Sequence, residues 1–119
     1  MKKEEFIEQF NKTSENIDEK WMKNVIKDSI DANDVDRNKR GHRNLIIVME
    51  ELADLTQEIS KELRDKGDIM NILQELADVQ LGVYYVQDIC GIDDEDLHRA
   101  MNVKTKRVEK KLQKYGQHK

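Results

Sequence analysis

The chain contains no proline and only five glycines in 119 residues. A sheet protein of this size needs both residues to punctuate its turns, so long uninterrupted helices are predicted instead. The apolar residues that must fill any core amount to 37%, and aromatic residues to 5%, which makes that core mainly aliphatic. Charged residues reach 39%, against roughly a quarter in an average soluble domain. The net charge of −4 argues against a surface built to wrap nucleic acid, and no nucleic-acid partner is expected. No apolar run approaches the ~18 residues of a membrane span and no signal-peptide pattern opens the chain, so a cytoplasmic location without a membrane partner is expected. The lone cysteine, Cys90, excludes an internal disulfide framework and a multi-cysteine zinc site, and fits a reducing compartment. The expectation is one all-α domain over residues 1–119.

Capping residues divide the chain. Gly67 can take the left-handed conformation that closes a helix, and Asp68 can accept the first free N–H groups of the next. Gly91 and Asp93 mark a second boundary. Asp94, Glu95 and Asp96 follow, where the helix dipole favours negative charge, and Ile92 and Leu97 stand at the positions of a hydrophobic staple. Helices are therefore predicted over 43–66, 69–90 and 94–114. Upstream, Phe6, Ile7 and Phe10 predict a short helix, and Ile17, Trp21, Val25 and Ile30 a second over about 14–31. The polar stretch 31–43 reads as a loop.

The helix over 43–66 carries one apolar stripe: Leu45, Val48, Leu52, Leu55, Ile59 and Leu63. The helix over 69–90 is apolar on most sides, with Leu73, Leu81, Tyr84, Tyr85 and Ile89 lying off its main stripe. Such a helix is central or lies at a subunit interface. A short chain has little interior of its own, so a homo-oligomer built by helix packing is expected.

Acidic pairs at i, i+3 are common in a chain with 25 acids, where chance alone gives roughly five. Two groups stand out by their surroundings. Glu75 and Asp78 are the only charges between Ile69 and Gln87. From Asn44 to Ser60 there are four acids, Glu50, Glu51, Asp54 and Glu58, and no basic residue. If the two helices pack as an antiparallel hairpin, these faces meet. Carboxylates held together without partners need neutralising. Either a hard divalent cation does so, magnesium or manganese given oxygen-only ligands, or the faces point to water or pair with lysines of another helix. Lys61 and Arg64, with the basic segment 104–119, offer positive charge for phosphates, a common companion of magnesium, although from Lys110 onward that charge also suits a helix C-terminus.

The run Met49-Glu50-Glu51-Leu52-Ala53-Asp54-Leu55, followed by Glu75-Leu76-Ala77-Asp78-Val79, resembles the all-alpha nucleotide pyrophosphohydrolases of the MazG type. Their signature is a helix with E-x-x-E, a short hairpin and a helix with E-x-x-D. Glu58 through Arg64 looks like the family's lysine-bearing continuation of the first helix, and Lys104-x-x-Arg107 resembles a basic pair on its last helix. The likeness covers residues 43–112. It departs at Asp54, where the family has glutamate, a ligand one methylene longer. The resemblance implies a four-helix-type bundle assembled as a homo-oligomer, dimer or tetramer. It implies hydrolysis of a nucleoside triphosphate between the α and β phosphates. Glu51, Asp54, Glu75 and Asp78 would hold magnesium, with manganese as a substitute. Glu50 or Glu58 would orient or deprotonate water, and Lys61, Lys104 and Arg107 would take the β and γ phosphates. A binding-only regulator and a helical interaction module without ligand are the competing readings.

Other residues read as structural. His42, His98 and His118 share no metal spacing and are expected on the surface. Cys90 reads as a core thiol and Trp21 as a core anchor rather than a base-stacking lid. Tyr84 and Tyr85 face opposite ways, and Arg37, Lys39, Arg40, His42 and Arg43 read as a solvated basic loop.

Overall fold

A computed structural model describes residues 1–13, 16–33 and 40–115. Those residues form five helices: α1 (Lys3–Lys12), α2 (Glu19–Asn33), α3 (His42–Leu63), α4 (Ile69–Cys90) and α5 (Asp94–Tyr115). The all-α expectation holds. Among the described residues, no helix is long and apolar enough to cross a membrane.

Local chemistry sets the helix ends. The Asp68 side chain accepts from the backbone N–H groups of Met70 and Asn71 and so starts α4. Asp93 accepts from the Asp96 N–H at 2.8 Å and starts α5. Gly91, at φ +68°, closes α4 in a Schellman turn, with the Ile92 N–H donating to the Gln87 carbonyl at 2.9 Å. The end of α3 differs from expectation. The left-handed residue there is Asp65, at φ 59°, and not Gly67. The Lys66 N–H reaches back to the Lys61 carbonyl, so α3 stops at Leu63, short of residue 66. Aspartate tolerates this conformation better than most side chains, which is why it can stand where glycine was expected. In the N-terminal part, residues 16–18 are not helical, and α2 begins at Glu19, where the Asp18 carboxylate accepts from the Trp21 N–H.

Helix α4 is the centre of the fold and packs against α1, α2 and α3. Its largest interface is with α3, to which residues 64–68 connect it as an antiparallel hairpin. The two backbones come close at Gly82, where an added Cβ would lie 3.2 Å from Val48 Cγ1. At the start of α3, Gly41 is buried at φ +77° against Ile89. Ion pairs tie the remaining pieces together: Lys3 to Asp68 before α4, Lys23 of α2 to Asp94 of α5, and Arg40 to both Asp88 of α4 and Asp31 of α2. Beyond its first turns α5 packs against no other helix.

The core is thin. Among the described residues the buried apolar side chains are Ile26, Ile30 and Val48, and of these Ile30 alone is fully buried. The expected stripe on α3 divides: Leu45, Val48 and Leu55 pack inward, while Leu52, Ile59 and Leu63 are exposed. Two further expectations are corrected. Cys90, at the last position of α4, is exposed, and Trp21 is 59% exposed on the outer side of α2, so neither is a core residue. His42 and His98 are exposed as expected, whereas His118, Arg37 and Lys39 lie outside the described residues.

Gly41 and Gly91 separate strain from overlap. Gly91→Ala meets nothing within 4 Å and costs only the left-handed backbone, about 1 kcal/mol. Gly41→Ala adds a Cβ 2.5 Å from the Ile89 side chain and is expected to cost about 2–3 kcal/mol. Urea denaturation of the two variants checks the order.

Candidate metal centre

Antiparallel packing of α3 on α4 brings the two acidic groups to one seam. Glu51 on α3 lies within electrostatic reach of Asp78, Glu75 and Asp54, and Glu75 on α4 within reach of Asp78, Asp54 and Glu58. Burial, reinforced by Asp78, Glu75, Asp54 and Glu50, pushes the Glu51 carboxyl above its ordinary value. Burial and the neighbouring Asp78, Asp54 and Glu58 do the same to Glu75, against a smaller opposing pull from the α-amino group of Met1. Asp78 is raised by burial, with the same amine opposing and Asp54 adding to it. Among the described residues, no lysine or arginine side chain pairs with Glu51, Asp54, Glu75 or Asp78.

The other expected site residues divide by location. Glu58 is buried at the seam, with Oε1 accepting from Lys61 Nζ at 3.2 Å and Oε2 buried without any hydrogen-bond partner. Glu50 is exposed on α3, although its charge reaches Glu51. Lys61 is thus beside the acids. Lys104 and Arg107 are exposed on the unpacked length of α5, and the single chain does not bring them to the seam.

The donor set suits a hard divalent cation in kind. It is all carboxylate oxygen, half-buried at Glu51, Glu75 and Asp78, and it includes an orphaned oxygen at Glu58. Spacing is another matter: among the described residues, no three His, Cys, Asp or Glu side chains converge closely enough to hold an ion. Holding one requires the carboxylates to rotate toward each other from their present positions.

A cleft of about 230 Å³ adjoins the acids between α2, α3 and α4. Ser29, Asn33, Asn44, Glu51 and Tyr85 line it. Tyr85 Oη donates to Ser29 Oγ at 3.1 Å. Asn44 is 4% exposed, and its Oδ1 is buried without a partner. The sequence does not single out Asn44. An asparagine in the first turn of a helix reads as an ordinary end residue, and only the packing of α2 across it creates the cleft. Tyr84, on the other side of α4, lies beneath Lys23 with Nζ 5.4 Å from the ring centre.

No family model, curated protein or solved structure matches the chain.

The raised carboxyls carry a pH consequence. A carboxyl whose folded value exceeds its unfolded one holds its proton more tightly in the fold, so it favours folding at low pH. That contribution is lost as pH rises through the folded value. With chelator present, Glu51→Gln should therefore gain stability over the wild type as pH rises from 4.5, the ordinary carboxyl value, toward 7. Thermal melts of both proteins across that range would show a constant difference if the Glu51 carboxyl were unperturbed.

Proposed function

We propose that the chain is a magnesium-dependent nucleoside triphosphate pyrophosphohydrolase, with manganese able to substitute. The observation that carries this reading is the gathering of half-buried Glu51, Glu75 and Asp78 with exposed Asp54 at one seam, with no lysine or arginine partner among the described residues. The likeness of the two acidic motifs to the MazG-type hydrolases supplies the reaction. In this reading those four carboxylates hold the cation. When bound, the cation supplies positive charge that draws a polyphosphate to an otherwise repellent surface and polarises its phosphorus–oxygen bonds. Glu58 is the better placed of the two candidate bases, because it is buried beside Glu75 while Glu50 faces solvent. It holds the attacking water and takes its proton. Water oxygen bonds to the α-phosphorus, the α–β anhydride bond breaks, and pyrophosphate leaves a nucleoside monophosphate behind. Lys61, which now pairs with Glu58, turns to the phosphates.

The test is pyrophosphate release from a panel of nucleoside triphosphates with magnesium, manganese or chelator. Wild type should release it only with metal, and Glu75→Gln should lower kcat/KM about a hundredfold or more. Metal that raises Tm without any turnover would favour the binding-only regulator. Metal that does neither would favour the interaction module.

The bundle is completed in this reading by a second copy of the chain. The single chain exposes 9999 Å², against about 6,700 Å² for a compact monomer of its mass. Its radius of gyration is 17.6 Å, against about 13.5 Å for a compact chain of this length. Met49, Leu52, Ile59 and Leu63 form an exposed arc beside the buried face of α3. Met101, Val108, Leu112 and Tyr115 form another on α5, and its burial would also carry Lys104 and Arg107 toward the acids of the second copy. Sedimentation equilibrium should show a dimer or tetramer that Leu52→Glu weakens at least tenfold; a monomeric wild type would overturn the assembly.

A further inference from the structure

The cleft between α2, α3 and α4 has features that the phosphate chemistry does not use. Asn44 places an amide carbonyl in a buried position with nothing to bond to. Buried acceptors are nearly always paired, so an orphan calls for a partner that comes from outside the chain. Nearby, Ser29 Oγ accepts from Tyr85 Oη at 3.1 Å and from Asn33 Nδ2 at 3.5 Å, which leaves its own proton free for a ligand. The cleft thus offers an acceptor and a donor close together, with Val48 among its apolar walls. At about 230 Å³ it is smaller than the roughly 300 Å³ at which pockets for drug-sized ligands begin, and it suits one ring system rather than a whole nucleotide. Glu51 belongs both to this cleft and to the acid seam, so a ligand seated here continues directly toward the carboxylates.

We propose that this cleft is a nucleobase subsite, in which the Asn44 side-chain carbonyl accepts a hydrogen bond from a base N–H. The inference rests on the nucleotide reading for what lies at the carboxylate end, but it can be tested without turnover. The probes are neutral nucleosides at millimolar concentration, with ribose as the control, followed by NMR shifts on the metal-free wild type, Asn44→Leu and Tyr85→Phe. Wild type should bind at least one nucleoside and not ribose. Asn44→Leu keeps the branched shape of the side chain and removes the orphaned carbonyl, so its Tm should stay level or rise while nucleoside affinity falls about tenfold. Tyr85→Phe removes the nearer of the two donors to Ser29 and should alter affinity several-fold with the fold intact. Nucleoside binding unchanged in Asn44→Leu, or absent from the wild type, would overturn the subsite. Base-dependent binding without pyrophosphate release would keep the subsite and remove the hydrolase reading. Metal-dependent hydrolysis with no nucleoside binding would do the reverse.

Discussion

The antiparallel contact of α3 with α4 is the constraint on which the other features depend. Its register comes from short-range chemistry. The left-handed Asp65 stops one helix, and the Asp68 carboxylate starts the next. Its closeness comes from Gly82, which lets the α4 backbone approach Val48. Register and closeness together put Glu51 opposite Asp78 and Glu58 near Glu75. A slip of one residue would turn those carboxylates about 100° around the helix and scatter the cluster. The seam that organises the fold is therefore also the place where like charges are forced together, and the two properties cannot be separated.

Helix α2 gives the seam a wall. By sequence the N-terminal third carries no motif, yet its buried Ile26 and Ile30 face the hairpin and lay Ser29 and Asn33 beside it. The same docking closes over Asn44 and turns an end-of-helix asparagine into a buried one. A helix that looks like a structural extension thus supplies Ser29 and Asn33, half of the uncharged polar lining of the cleft beside the acids.

What the sequence reveals depends on the range of the physics involved. Asp68, Gly91 and Asp93 act on groups within five residues, so the ends they set are legible by eye. The pairing of the acidic faces is legible too, because helical period fixes which side of α3 and α4 the carboxylates share with the apolar stripe. Burial depends on what arrives from elsewhere in the chain, and there the reading fails. Leu52, Ile59 and Leu63 belong to the same stripe as Val48 but remain exposed. Trp21 and Cys90 have the composition of core residues and lie outside it. Asp65 took the turn assigned to Gly67, since either residue can adopt that conformation and no pattern separates them.

The exposed stripes and the unpartnered acids lead to the same physical requirement. With three buried apolar side chains among its described residues, the chain gains little from its own core, while it carries a cluster of carboxyls whose ionisation opposes folding. In the proposed reading both deficits would be met from outside the single chain. A cation would cancel the repulsion at the seam, and a second copy would cover Leu52, Ile59 and the free face of α5. The two are linked through α5, whose apolar stripe and whose lysines lie on one continuous helix. Burying that stripe moves positive charge with it. Assembly and charge balance at the seam would then be coupled, so that whatever strengthens one strengthens the other.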